Sequence, residues 1–144
     1  MEKPDQNNIS ISTIYRKTVM WKNEQSAALG LSSAQVPIII QVVSANGISQ
    51  NEVVSLLSME KSVIAKTIGK LVEDGYIERK INPKDKRAYD LYPTEKAIRV
   101  YPILVEQGKK WIEIITAGMT ADEKRQFAYL LSMAEKNAIE YFNK

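Results

Sequence analysis

The residues best suited to chemistry in this chain lie between Ser49 and Thr94, and they are suited to binding nucleic acid. Cationic and small side chains recur there on one side of a predicted helix and in the turn of a predicted hairpin. They are Lys61, Ser62, Val63, Lys66 and Lys70 of the helix, and Lys84, Asp85, Lys86 and Arg87 of the turn. Lysine and arginine bind phosphate oxygens, and small side chains let a helix approach base edges in the major groove. The pattern therefore predicts a DNA-binding surface.

The predicted helix can read bases through its solvent face. With 100° per residue, its first half turns small and cationic side chains away from its apolar side. Ser62 can donate to or accept from any base, and Val63 suits a thymine methyl. Lys66 can reach guanine acceptors or a phosphate, whereas Lys61 and Lys70 are placed for phosphates. The same residues are also compatible with an ordinary solvated helix face.

The predicted hairpin favours DNA binding because a polyanion would reduce the repulsion between its positive charges. Five cations accompany Asp85 there: Arg79, Lys80, Lys84, Lys86 and Arg87. Like charges at this spacing repel one another unless a phosphate backbone screens them. Arg87 is predicted to enter a narrow minor groove, with its guanidinium held beforehand by the Asp85 carboxylate. The alternative is a surface salt bridge between these two side chains, which contributes under ~1 kcal/mol.

Helix-start signals predict the elements that hold these residues. The first eight residues are expected to be frayed, and a helix is expected from Ile9 to about Leu29. A hydroxyl residue with Gln or Glu three positions later forms a capping box, which predicts three further helix starts. The pairs are Ser32 with Gln35, Ser49 with Glu52, and Thr120 with Glu123. The helix that starts at Ser49 is expected to bury Val53, Leu56 and Leu57.

The remaining elements complete a winged architecture. A helix is predicted from about Glu60 to Asp74, strands over Tyr76 to Ile81 and Ala88 to Pro93, and a long helix from Thr94 to about Ala117. The predicted fold class is mainly α with a small β-wing: a winged helix-turn-helix plus a helical dimerisation domain. The predicted parts are residues 1–31 as an N-terminal dimerisation helix, 32–93 as the DNA-binding domain, and 94–144 as C-terminal dimerisation helices.

Composition excludes several other classes of function. The chain has no Cys and no His, which removes thiol chemistry, the usual zinc ligands and the commonest general base. Without a glycine-rich phosphate loop or a nucleophile elbow, no enzyme, cofactor or metal site is predicted. No apolar run reaches the roughly 20 residues that span a bilayer, and no signal segment is found, so a cytoplasmic protein is expected. The net charge of +3 is small, so DNA binding must depend on where the charges lie.

The segment from Leu71 to Ala97, LVEDGYIERKINPKDKRAYDLYPTEKA, resembles the MarR family of transcriptional regulators. It is similar to the end of that family's recognition helix, its wing and its return strand. Asp85-Lys86-Arg87 lies on the family's Asp-x-Arg signature, and Thr94-Glu95 on the start of the helix that follows. Lys61-Ser62 matches a lysine-serine pair common at the start of the recognition helix. The resemblance extends from about Ile9 to the C-terminus.

This resemblance implies a homodimer whose first helix and last two helices interdigitate with those of the partner. Two recognition helices would then enter successive major grooves of a pseudo-palindromic operator, roughly 34–36 Å apart. It further implies a repressor of transcription that a small aromatic or anionic ligand releases from DNA. In such a switch, ligand binding changes the spacing of the two recognition helices.

The effector site and the class of partner both leave alternatives open. Five large side chains are candidates for an aromatic effector pocket: Tyr15, Met20, Trp21, Tyr101 and Trp111. The alternative is that they pack in the core of the dimer, as aromatic and Met residues at helical spacing usually do. A winged helix can also bind protein instead of DNA, although that would require an exposed apolar groove on the reading face.

Overall fold

The computed structural model describes residues 1–143 as a mainly helical chain with one small sheet, which confirms the predicted fold class. In chain order its elements are α1 (Gln6–Ala27), α2 (Gln35–Ala45), β1 (Ile48–Ser49), α3 (Gln50–Leu57), α4 (Lys61–Glu73), β2 (Ile77–Ile81), β3 (Tyr89–Pro93), α5 (Glu95–Ile115) and α6 (Ala121–Phe142). The chain divides into two compact units, Met1–Gly108 and Lys109–Lys144. Within residues 1–143, no helix is long and apolar enough to cross a membrane.

The core of the first unit joins α2, α3 and α4 to the sheet. Branched aliphatic side chains from each element are fully buried there, including Ile38, Ile39, Val53, Ile64, Ile68 and Leu91. Burial of one such side chain contributes roughly 1.5–3 kcal/mol, so this cluster holds α4 firmly along one side. Ser58, with a φ of 51°, ends α3 in the left-handed conformation, and α4 begins three residues later. This is the helix-turn-helix that the sequence predicts.

The sheet has the order β1-β3-β2, and both pairings are antiparallel. Arg79 pairs with Leu91 and Ile81 with Tyr89, so β2 and β3 form the predicted hairpin. β1 was not predicted, because a strand of two residues gives no alternating pattern to detect. Through β1, which pairs Ile48 with Leu91, the hairpin is attached to the segment between α2 and α3.

Capping hydrogen bonds define the helix starts, and two of the three predicted capping boxes are confirmed. At α3 the Glu52 N–H donates to Ser49 Oγ (3.1 Å), and the Ser49 N–H donates to Glu52 Oε2 (3.4 Å). At α6 the same exchange joins Thr120 and Glu123 at 3.1 and 2.9 Å. Hydrogen bonds from the backbone and side chain of Thr120 lower the pKa of the Glu123 carboxyl.

The third predicted box, at Ser32, is only half formed. The Ser32 N–H donates to Gln35 Oε1 (2.9 Å), but α2 begins at Gln35, and its N-cap residue, Ala34, makes no side-chain cap. The Ser33 N–H donates to Asn23 Oδ1 of α1 (2.9 Å). This bond ties Ser33 to α1, and α2 begins two residues later than a box at Ser32 predicts.

Two other sequence expectations are also wrong. The N-terminal residues are not frayed from Gln6 onward, because Asp5 caps α1 by accepting from the Asn7 N–H at 2.7 Å. Leu56 is 58% exposed instead of buried. Val53 is fully buried and Leu57, one turn later, packs against the core, whereas Leu56 lies at the edge of this side of α3 and is exposed to solvent.

In the second unit, α6 carries apolar side chains that this chain does not bury. None of the residues of α6 is buried. Its large exposed apolar side chains are Tyr129, Leu130, Leu131, Met133, Ile139, Tyr141 and Phe142. So many large apolar side chains exposed on one helix are typical of an interface.

Candidate nucleic-acid interface

The helix α4 presents two chemically different sides. Ile64, Ile68 and Leu71 are fully buried against the core. On the opposite side, Ser62 and Lys66 are exposed, and Val63 is 42% exposed. The prediction that Val63 points away from the core is therefore confirmed. An apolar side chain held in solvent on the small, cationic face of a helix is suited to a thymine methyl.

The cations of α4 differ in how strongly they are paired. Lys61 and Lys66 are exposed and take part in no ion pair among residues 1–143. Lys70 Nζ lies 3.5 Å from Asp74 Oδ1 and 4.0 Å from Glu73 Oε2, so carboxylates partly neutralise its charge. The positive charge of the helix is thus concentrated in its first half, towards Lys61.

Hydrogen bonds fix the turn at the tip of the wing. Asn82 Oδ1 accepts from the N–H groups of Lys84 (2.8 Å) and Asp85 (3.3 Å), and the Asn82 N–H donates to the carbonyl of Ala88 (3.1 Å). Lys84, Lys86 and Arg87 project from this turn and are exposed. A turn built on Asn side-chain bonds is locally determined, so the wing holds its three cations without help from a partner.

The expected pairing of Asp85 with the Arg87 guanidinium is wrong. Asp85 Oδ1 instead accepts from the backbone N–H of Arg87 at 3.0 Å, and no ion pair joins the two side chains within the described chain. A short carboxylate commonly satisfies a nearby backbone N–H in this way. Asp85 therefore orders the backbone beneath Arg87 and leaves the guanidinium unpaired.

Two of the five cations of the hairpin lie over aromatic rings of β3. The Arg79 guanidinium stacks over the ring of Tyr89 (5.4 Å to the centroid), and Lys80 Nζ lies over the ring of Tyr92 (4.8 Å). Cation–π contacts of this kind stabilise the strands of the wing. All five side chains are exposed, and the three at the tip make no cation–π contact within residues 1–143.

A cleft of about 290 Å³ joins the two predicted groups of residues into one surface. Its lining combines Lys61 of α4, Asp85 and Arg87 of the wing, and four residues that were not predicted: Gln50, Asn51, Ala88 and Tyr89. The capping box at Ser49 could have indicated the first two, because it sets Gln50 and Asn51 in the first turn of α3. Lys61 and Arg87 thus face the same cleft although 26 positions separate them in the sequence.

A second cleft, of about 470 Å³, lies on the other side of α4. Lys66 and Lys70 line it together with Ser32 and Gln35 from the segment that enters α2. The cations of α4 therefore lie between two concave surfaces, one towards the wing and one towards α2.

The predicted effector residues belong to α1 and α5. Tyr15, Met20 and Trp21 all lie on α1, where Tyr15 is 69% exposed and Met20 is also exposed. The Tyr101 hydroxyl of α5 is 3.1 Å from Ser44 Oγ at the end of α2. Trp111 belongs to the second unit. Their assignment to an effector pocket stays a prediction.

Comparison with known proteins agrees with this fold. The MarR family model matches residues 29–88, from the segment before α2 to the wing. Over 127 residues the chain is 28% identical to the HTH-type transcriptional regulator YybA of Bacillus subtilis strain 168, with 88% of this chain and 85% of that protein covered.

Solved structures extend the likeness to the whole chain. The MarR protein from Peptoclostridium difficile DA00132 has a TM-score of 0.93 and 29% identity, with 99% of this chain and 95% of that chain covered. A Listeria monocytogenes regulator of the same fold, solved in complex with 26mer DNA, has a TM-score of 0.86 at 23% identity, with coverage of 96% and 91%. Proteins of this kind are regulators and not enzymes, as the sequence predicts. The helix-turn-helix and the wing thus lie in the segment that matches the MarR family model, and the chain as a whole is similar to transcriptional regulators of that family.

Proposed function

We propose that this protein is a homodimeric repressor that binds a pseudo-palindromic operator and is released by a small aromatic or anionic ligand. The observation that carries the DNA-binding part is the surface on which Lys61 and Arg87 face one cleft. It connects the exposed face of α4 to the tip of the wing. A DNA duplex has two neighbouring features that these elements can contact. Its major groove is wide enough for a helix, and its sugar-phosphate backbone flanks that groove.

Each part of this surface suits a different part of the duplex. Ser62, Val63 and Lys66 are exposed on the first half of α4, where they can meet base edges in the major groove. Arg87 at the wing tip is suited to the narrow minor groove beside it, because its guanidinium carries no ion pair among the described residues. Lys84 and Lys86 are suited to phosphates. The regulator from Listeria monocytogenes, solved with DNA, supports this assignment by its common fold.

The homodimer is supported by the exposed apolar faces of the terminal helices. α6 exposes leucines and aromatic side chains along its length, and Ile11 and Ile14 of α1 are also exposed. A second copy of the chain supplies matching apolar faces, as an isologous interface requires. Dimerisation would bring two α4 helices to half-sites one turn of DNA apart, roughly 34–36 Å.

The repressor role and the release by a ligand are supported by the resemblance to the family. The candidate contacts are Tyr15, Met20, Trp21, Tyr101 and Trp111. A planar anion would stack on such rings, and its binding would change the distance between the two recognition helices. A regulator of this kind acts where the chromosome lies, so the proposal includes a cytoplasmic location.

A fluorescence-anisotropy titration tests the proposal. DNA from just upstream of this protein's own gene is compared with a scrambled duplex of equal length at two salt concentrations. We expect tight binding to the upstream duplex, two chains per duplex, and an affinity that falls steeply with salt because phosphate contacts release counterions. An aromatic anion such as salicylate, added to the complex, serves as the first effector probe.

Two outcomes would contradict the proposal. Equal and weak binding to both duplexes, repeated with genomic fragments, would count against operator recognition and favour a winged helix that binds protein. One chain per duplex at saturation would contradict the dimer.

A further inference from the structure

The C-terminal end of α4 is joined to the first turn of α5 by three hydrogen bonds. Lys96 Nζ donates to the carbonyl of Asp74 at 2.7 Å, and Thr94 Oγ1 donates to the carbonyl of Gly75 at 2.6 Å. The Thr94 N–H donates to the carbonyl of Tyr76 at 3.1 Å. Asp74 is the C-cap of α4, and Gly75 and Tyr76 follow it, so these donors satisfy carbonyls that have no partner within the helix.

Lys96 differs from the other donor because it is charged and makes a second contact. Its ammonium lies 4.3 Å from the centroid of the Tyr76 ring. Tyr76 is buried at the start of the wing, and its hydroxyl lies 3.5 Å from the carbonyl of Leu29. A cation at a helix C-terminus interacts favourably with the helix dipole, and a cation over an aromatic ring is attracted by the ring face. Lys96 therefore connects α5 to both α4 and the wing.

We propose that Lys96 is a positioning residue for DNA recognition: it fixes the direction of α4 by holding its C-terminal end to the start of α5. The inference rests on the proposed DNA-binding function. It assigns a role in specificity to a lysine that is not among the predicted DNA-binding residues.

Helix geometry explains how a contact at Asp74 acts on base recognition. Lys66 lies eight residues before Asp74, which is about 12 Å along the helix axis. A tilt of about 5° at the C-terminal end would displace Lys66 by about 1 Å at that distance. Hydrogen bonds to bases weaken over such a displacement, whereas a lysine bound to a phosphate can follow it by rotation of its side chain. Loss of Lys96 should therefore reduce discrimination between sequences more than overall affinity.

The test uses the full-length protein and three variants. Lys96→Met removes the charge and the donor but keeps an unbranched chain over the Tyr76 ring. Lys96→Arg restores a charged donor that can also stack on the ring. Lys109→Met removes the same charge from another exposed position of α5 and serves as the matched control.

Two quantities are measured for each variant. The first is hydrogen exchange in the free protein at the hydrogen-bonded amides around the junction, those of Asp74, Gly75, Tyr76 and Thr94. The second is the ratio of affinities for the operator and for a duplex with altered half-site bases. For Lys96→Met we expect exchange at these amides to accelerate about fivefold and the ratio to fall about three- to tenfold. Lys96→Arg and Lys109→Met should have exchange rates and an affinity ratio close to those of the unsubstituted protein.

Each other outcome overturns the inference. Unchanged exchange at the four amides would mean that Lys96 does not hold the end of α4. An equal loss of affinity for both duplexes would mean that Lys96 acts as a phosphate contact. If the unsubstituted protein preferred no duplex, the proposed function would fail, and the exchange measurement would still decide whether Lys96 holds α4.

Discussion

The ring of Tyr92 lies against the backbone of Gly47, so closely that a Cβ at residue 47 would stand 2.8 Å from Tyr92 Cε1. Gly47 follows α2 and has a φ of +122°, a conformation that residues with a side chain rarely adopt. The other contact of the ring is Lys80 of β2, whose ammonium lies 4.8 Å from the ring centroid. The base of the wing is therefore packed on the turn that leaves α2.

We expect Gly47→Ala to destabilise the protein by about 2–3 kcal/mol, because it combines backbone strain with a displaced ring. Thermal or urea unfolding measures the change. The control is Gly108→Ala in α5, where a Cβ would meet no atom within 4 Å. That substitution should be neutral or stabilising by up to about 1 kcal/mol, because alanine favours a helix. Equal stability of the two variants would contradict the close packing of Tyr92 on Gly47.

Arg87→Ala should weaken operator binding by about tenfold or more, because the unpaired guanidinium at the wing tip is the group best placed for the minor groove. A mobility-shift titration at fixed salt measures the loss. Arg99→Ala is the control for net charge, since Arg99 is exposed on α5 and pairs with Glu95 at 3.8 Å. If both variants lost the same affinity, Arg87 would contribute only its charge.

Val63→Ala is expected to change the preferred operator sequence more than the overall affinity. The side chain is 42% exposed on the face of α4 opposite the core. Its methyl groups can contact a thymine methyl but cannot bind a phosphate, so they contribute to sequence preference more than to affinity. Selection from a random pool of duplexes measures the preference. Ser132→Ala on α6 gives the baseline for a small substitution outside the helix-turn-helix. Recovery of the same motif with both variants would argue against base contact by Val63.

The parts of the structure that follow from local chemistry could be predicted from the sequence. The capping boxes at Ser49 and Thr120 fix two helix starts. The helical spacing of Ile64, Ile68 and Leu71 determines which side of α4 is buried. These features depend on residues within two helical turns of one another. The resemblance to the MarR family extends these local predictions to a whole fold, because the order and spacing of the predicted elements are those of a winged helix.

The features that the sequence did not predict depend on contacts between distant residues. The bond from the Ser33 N–H to Asn23 shortens α2, and nothing near Ser33 indicates it. Two of the hairpin cations, Arg79 and Lys80, lie over aromatic rings of the neighbouring strand, which no local pattern indicates. For the same reason, the cleft that joins Lys61 to Arg87 could only be seen once α3, α4 and the wing were placed together.

The apolar face of α6 gives the most direct test of the dimer. Leu130 is 59% exposed in the single chain, in a helix that buries none of its residues. A charge at the centre of an interface between apolar faces would be left desolvated and unpaired. Leu130→Glu should therefore convert a dimer into monomers, with a rise of the dissociation constant of about a hundredfold or more.

Sedimentation equilibrium measures the assembly state of Leu130→Glu, and circular dichroism establishes that its helices remain folded. Lys124→Glu places a glutamate on the same helix at a polar, exposed position, so it should leave the dimer intact. Loss of the dimer should also reduce operator affinity, because each half-site would then be bound by a single recognition helix. A Leu130→Glu protein that still sediments as a dimer would show that this face of α6 is not the interface.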